Sequence, residues 1–187
     1  MGLTLLHNIQ LVHQAGLKCG LLLFDIQGFF DNINRNRLVQ VFVNLGFTPE
    51  LVNWCRSFLT DRTVRLKFNS KSLDPIETEV GTSQGLPVSP VLSIIYTMPL
   101  LHQMRSWTNT SLGMYIDNGV IFTCSKDWDK VTDTLHEGYS KCIDWLTHAG
   151  LKAELDKTKL IFFKKRRDNS TPPQHINLPL LDNLTHY

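Results

Sequence analysis

Lys18-Cys19-Gly20-Leu21-Leu22-Leu23-Phe24-Asp25 is an apolar run that ends on a carboxylate, and its reading decides the fold. Four consecutive large apolar residues, closed by Asp25, predict a buried strand. Downstream of it, Leu38, Val41, Phe42 and Leu45 recur at helical spacing and Gly46 supplies the stop, predicting a short helix. Thr48-Pro49-Glu50 is the start of a second helix: a hydroxyl to cap it, proline in its first turn, and an acid at the positive end of its dipole. Leu51, Val52, Cys55, Phe58 and Leu59 give that helix an apolar face. From Thr63 the period changes to two. Val64, Leu66 and Phe68 alternate with Arg65 and Lys67, and Ile76–Val80 follows a polar turn, so this stretch reads as a hairpin.

Gly81–Pro90 is rich in Gly, Ser and Pro and reads as a loop entering a helix at about Val88–Trp107. Leu112–Ile116 and Gly119–Thr123 are short apolar strands joined through Asp117-Asn118, and an Asn-Gly pair between apolar runs is a strong hairpin signal. Asp127 is placed to cap a helix whose face is Trp128, Val131, Leu135, Tyr139, Cys142, Leu146 and Ala149, with Gly150 as its stop. Leu160–Phe163 reads as a last strand, followed by the basic run Lys164–Arg167. The tail, Ser170–Tyr187, carries Pro172, Pro173 and Pro179 without a clear period. No internal repeat is present. The major pieces give an α+β fold: a split β-α-β-β-α-β antiparallel sheet with helices packed on one face. Two extra helices and a hairpin are inserted after its first strand.

Composition narrows the class. The chain has 187 residues, 42% hydrophobic and 10% aromatic, with a mean hydropathy of -0.11. That length favours one domain with a real core, and the composition argues against disorder. A net charge of +2 neither demands nor excludes a nucleic-acid partner. Cys19, Cys55, Cys124 and Cys142 contain no C-x-x-C pair, which removes zinc-ribbon and thioredoxin readings. Each sits in an apolar run, as a small buried hydrophobe does in a reducing compartment. The seven histidines show no metal-ligand spacing. No signal peptide or membrane span is legible, so no membrane partner and an intracellular location, nucleus or cytoplasm, are expected.

Asp25 closes the first strand and Asp117 lies at the tip of the central hairpin. Taken singly, they read as a strand-end acid and a turn acid. In a split β-α-β-β-α-β sheet, however, the first strand and the hairpin are neighbours, and both carboxylates can meet on one edge. Hard oxygen ligands on rigid strands suit Mg²⁺, which keeps its waters and takes one or two carboxylates plus substrate phosphates. Two such ions some ~3.5–4 Å apart can activate a hydroxyl and stabilise a leaving pyrophosphate.

The residues around these acids carry a resemblance. Phe24-Asp25-Ile26-Gln27-Gly28-Phe29-Phe30-Asp31-Asn32-Ile33 resembles motif A of reverse transcriptases, notably those of non-LTR (LINE-like) retrotransposons. Ser83-Gln84-Gly85-Leu86-Pro87-Val88-Ser89-Pro90 is similar to their motif B, and Tyr115-Ile116-Asp117-Asn118-Gly119 to motif C. Gly150-Leu151 followed by Asp156-Lys157-Thr158 and Leu160-Ile161 resembles motif D. The resemblance spans about residues 4–165. It implies a fingers remnant at 1–17, a polymerase palm at 18–168 and an irregular tail at 169–187. It also implies that Asp25 and Asp117 are catalytic metal ligands for Mg²⁺, with Mn²⁺ as an alternative, and that Lys157 protonates or screens departing pyrophosphate. Ile26, Phe30, Gln84, Gly85 and Tyr115 would bind substrate. Among them Phe30 matches the steric gate that rejects ribonucleotides, and Gln84 and Gly85 would line the nascent base pair and template.

The implied function is that of an RNA-directed DNA polymerase, adding dNTPs to a primer 3′-hydroxyl on an RNA template. Two departures qualify it. The family's second motif C aspartate is here Asn118, whose amide contributes no charge and predicts a weak or lost metal ligand. Few residues precede Asp25, and no primer grip or thumb is recognisable after the basic run. This reads as a truncated copy whose fingers, thumb or endonuclease segments belong to a longer parent polyprotein. The alternative expectation is a catalytically inactive palm that binds RNA or a partner chain. Arg56, Arg62, Arg65, Lys67 and Lys71, and the Lys164–Arg167 block, fit a polyanion modestly. Gly81-Thr82-Ser83-Gln84-Gly85 also fits G-x-S-x-G, with His148 downstream, but that nucleophile elbow needs a helix immediately after it. Here Leu86-Pro87 intervenes.

Overall fold

The computed structural model describes residues 2–69, 71–78, 80–83, 85–107, 110–165, 168 and 170–173, without the side chains of residues 2–5 and 71. Gln84, Arg166, Arg167 and nearly all of the expected tail therefore lie outside the described residues. Helix α1 (Gly2–Gln14) leads into β1 (Lys18–Ile26). The one-turn α2 (Phe29–Asn32), α3 (Arg35–Asn44) and α4 (Pro49–Leu59) follow. After four short strands come α5 (Ser89–Met104), β6 (Thr110–Tyr115), β7 (Asn118–Ser125), α6 (Trp128–His148) and β8 (Ala153–Phe163).

The sheet runs β6-β7-β1-β8, and every neighbouring pair is antiparallel. This is the order that a split β-α-β-β-α-β fold requires, with the first strand inside and the hairpin on one side of it. Strand β1 is central because it is apolar on both faces. Leu22, Phe24 and Ile26 lie in the main core with Leu135, Tyr139 and Tyr96. Cys19 and Leu21, on alternate positions, are buried too, and α1 packs against the same strand. Gly20 lets α6 approach: a Cβ there would stand 2.8 Å from both Leu135 Cδ1 and Val131 Cγ1. The face foreseen for α6 is buried from Trp128 to Leu146. Tyr96 of α5 is fully buried and donates its hydroxyl to Ala149 O at 2.5 Å, tying the two long helices together.

Three expectations need correction. The hairpin after Thr63 is broken in two. Strand β2 (Thr63–Val64) pairs with β5 (Ile76–Glu77), and β3 (Lys67–Phe68) with β4 (Lys71–Ser72). Val64, Leu66, Phe68, Leu73 and Ile76 are all exposed, so the period of two here marks no buried face. The last strand begins at Ala153, not Leu160. Glu154, Asp156, Lys157 and Lys159 hide it from an apolar search, because β8 is an edge strand and charge is tolerated on an edge.

The third correction concerns the central turn, which is Ile116-Asp117, since Tyr115 pairs directly with Asn118. Ile116 takes the left-handed region, with φ of 57°, a costly conformation for a β-branched residue. Asn118-Gly119 thus lies inside β7. Gly119 is there because the Phe24 ring crosses it: a Cβ would fall 2.1 Å from Phe24 Cζ. Gly119→Ala should destabilise the fold by about 1–3 kcal/mol, the usual range for overpacking. Urea unfolding of Gly119→Ala, Phe24→Leu and the double variant checks this. The two changes should be clearly less than additive, because the smaller side chain vacates the space.

Candidate active site

Asp25 and Asp117 meet where β1 and β7 end. Asp25 pairs in register with Asn118, and Ile26 N–H donates to Asp117 O at 2.9 Å, closing the ladder beside the turn. Both acids line one cleft of about 440 Å³, together with Leu23, Phe24, Asn118, Gly119, Lys157 and Lys159. Asp25 is set into the sheet edge, its side chain 14% exposed, whereas Lys157 is 58% exposed.

Lys157 arrives by a bulge. Leu23 pairs with Lys159 but Asp25 pairs with Glu154, so β8 spends three more residues than β1 over this interval. Such a bulge re-aims side chains, and here Lys157 Nζ donates to Asp25 Oδ2 at 2.7 Å. The same ammonium reaches Glu154 Oε2 at 2.8 Å. These two acids, Asp25 first, hold Lys157 well above the ordinary lysine range. Glu154 and Lys159 escaped the sequence reading because the strand that carries them did.

Asn118 donates Nδ2 to Asp117 Oδ1 at 2.8 Å. An ionised carboxylate only accepts, so the amide must present its NH₂ there. Its carbonyl oxygen is thereby turned from Asp117, and one lone pair of Asp117 is engaged by an uncharged donor. The donor set is two carboxylates, each with one oxygen free of these contacts, plus an amide. That set fits a hard divalent cation which keeps most of its waters. Among the described residues no group of three His, Cys, Asp or Glu side chains is placed to hold a metal ion.

The other expected residues are placed less uniformly. Ile26 is buried in the core and is not among the residues that line the cleft. Tyr115 is exposed at the end of β6. Phe30 sits half-buried on α2, edge-on to Phe29 at 5.7 Å between ring centroids. Gly85 is exposed with φ of 86°, a conformation suited to glycine. Gln84 lies outside the described residues.

The loop before α5 is tied to the segment after Asp25. Thr82 N–H donates to Phe30 O at 2.7 Å and Gly81 N–H to Ile33 O at 2.8 Å. A Cβ on Gly81 would stand 2.8 Å from Asp31 O, so this contact needs glycine. Arg35 then staples the loop, donating to Gly81 O, Val80 O and Thr78 Oγ1 at 2.9 Å each and also to Thr78 O. Arg62 donates to Ser83 Oγ at 2.6 Å. That contact, with His148 bonded to Asp144 O instead, leaves Ser83 without a histidine partner among the described residues. Neither arginine's role was legible, since Arg35 bonds to main-chain and hydroxyl oxygens distant in sequence and Arg62 to Phe58 O and the Ser83 hydroxyl. Arg56 and Arg62 do share a groove with Arg35, while Arg65 and Lys67 stand exposed on the broken hairpin. The four thiols are free, and burial pushes Cys19 and Cys55 up to about 11 and Cys142 up to about 12, which suits packing rather than nucleophilic chemistry. No helix among the described residues is long and apolar enough to cross a membrane.

An antiparallel sheet of this order, with acids on its first strand and central hairpin turn, defines a polymerase-palm-like α+β domain. The chain belongs to the reverse transcriptase (RNA-dependent DNA polymerase) family, whose model matches residues 1–175. No curated protein matches it in sequence. Among solved structures, it is similar to apo telomerase from Candida tropicalis truncated from its C-terminal domain, with 17% identity and a TM-score of 0.65, covering 87% of this chain and 34% of that one. Telomerase from Candida tropicalis in complex with the TWJ fragment of telomeric RNA gives 16% identity and 0.64, over 85% and 29% of the two chains. The corresponding telomerase complex from Candida albicans gives 16% and 0.59, over 81% and 29%. At these identities the likeness is one of fold, and this chain spans about a third or less of each of those chains.

Arg35→Ala should destabilise the fold by about 1–3 kcal/mol through carbonyl groups left without donors. Limited proteolysis should locate the opening at residues 78–83, and Arg35→Lys should rescue it only in part, because lysine lacks the planar fork.

Proposed function

We propose that this chain is the palm of a non-LTR-type reverse transcriptase, extending a DNA primer on an RNA template with dNTPs. The observation that carries the reading is the convergence of Asp25 and Asp117 on one cleft at the edge of a rigid sheet. Asp25 and Asp117 would hold Mg²⁺, or Mn²⁺ in its place, in the two-metal manner. Bound there, divalent ions acidify a hydroxyl nucleophile and neutralise charge on phosphate oxygens. The chain's own residues do the rest. The β1–β7 ladder fixes the spacing of the acids, and the uncharged Asn118 weakens the hold on a second ion.

Lys157 lies within reach of Asp25 and is placed to screen anionic charge in the cleft. Phe30, whose carbonyl accepts from Thr82 N–H just ahead of the motif B-like stretch, is the candidate gate against a ribose 2′-hydroxyl. Gly85, with no side chain, lets a template or base pair come close to backbone, and Gln84 would line the same place. The exposed Tyr115 is a further substrate contact. Fingers, thumb and any endonuclease segment would come from a longer parent polyprotein.

A second reading, a palm that binds RNA or a partner chain without polymerising, is favoured by one contact, the Asn118 amide on Asp117 Oδ1. Primer extension with Mg²⁺ and with Mn²⁺ separates the two. On the first reading the parent chain extends the primer weakly, Asp25→Asn abolishes extension, and Asn118→Asp raises it at least about tenfold, the worth of about 1.4 kcal/mol in the transition state. No extension by either the parent or Asn118→Asp, with salt-sensitive RNA binding retained, favours the second.

A further inference from the structure

We propose that Lys157 is a tethered cation that occupies Asp25 until a divalent ion displaces it, so that the chain sets its own metal affinity. The inference rests on the metal-binding reading above and adds the competitor. Three observations carry it. Lys157 Nζ lies 2.7 Å from Asp25 Oδ2, where it takes up one of the oxygens a cation would use. The contact is built in by the backbone, since the extra residues of β8 between the Lys159 and Glu154 pairings deliver Lys157 to this spot. Glu154 Oε2, 2.8 Å away, gives the ammonium a second partner that is not in the cleft lining.

These positions define an exchange. In the free chain one positive charge sits on Asp25. When a doubly charged ion takes Asp25, Lys157 retains Glu154, so the displacement breaks one ion pair rather than two. No proton need be released, because the lysine stays charged on either partner. Lys159 provides an internal comparison. It lines the same cleft with the same charge yet forms no ion pair among the described residues. A general screening effect of nearby positive charge predicts that the two lysines act alike, whereas a tethered competitor predicts that Lys157 alone matters.

The test is a Mn²⁺ titration of the full chain at about 0.15 M ionic strength, following free Mn²⁺ by electron paramagnetic resonance. Parent, Lys157→Met, Lys159→Met, Glu154→Gln and Asp25→Asn chains are compared. Lys157 is more than half exposed, so its replacement leaves the core intact. The tethered competitor predicts a Kd lowered about fivefold in Lys157→Met, the scale of one exposed ion pair. Lys159→Met should change it less than about twofold. Glu154→Gln should weaken Mn²⁺ binding, because the ammonium then loses its alternative partner. Equal tightening in the two lysine variants, or none in Lys157→Met, overturns the competitor while leaving the metal site standing. Mn²⁺ binding that is identical in Asp25→Asn and the parent overturns the metal site, and the competitor with it.

Discussion

The antiparallel pairing of β1 with β7, in the register that sets Asp25 opposite Asn118, is the contact on which the rest of the molecule depends. A slip of one residue would turn Asp25 into the core and bring Phe24 to the opposite face. The register is held from both sides. Phe24 lies across Gly119, where only glycine leaves room for its ring, and it meets Tyr139 of α6 edge-on at 5.8 Å. The packing of one aromatic ring thereby fixes the placement of two carboxylates that belong to different supersecondary units.

Around that register the site is charged but partly neutralised by its own chain. Lys157 engages Asp25 and the Asn118 amide engages Asp117. Each acid keeps capacity for a cation, though less than a bare pair of carboxylates would have. The Ile116 backbone, held in the left-handed region, belongs to the same economy of the turn: strain of this kind persists where surrounding structure over-determines it, and it tends to gather at functional sites. The loop before α5 is fastened separately, by Arg35 and by hydrogen bonds from Thr82 to Phe30 and from Gly81 to Ile33.

How much of this was legible in sequence varied with where the information lies. The apolar run of β1 and the heptad-like face of α6 announce themselves because burial is periodic, and the sheet order follows from the arrangement of elements. Asp25 and Asp117 were legible as motif residues, and their meeting follows from topology. The long β8 was not legible, since a charged edge strand has no apolar period. With β8 went Glu154, Lys159 and the bulge that delivers Lys157. The Asn118-Gly119 pair reads as a turn signal, yet Gly119 answers instead to the Phe24 ring. Arg35 was invisible for a different reason: its partners are main-chain oxygens distant in sequence, and side chain to backbone bonds leave no pattern in residue types.

The central claim is that Asp25 and Asp117 form one cation site. Paramagnetic broadening of backbone amide signals by substoichiometric Mn²⁺ tests it most directly. The account predicts that broadening centres on Asp25, Asp117 and Asn118, weakens along β1 and β7 with distance, and disappears in Asp25→Asn. Broadening centred elsewhere, or unchanged when Asp25 is replaced, would contradict it.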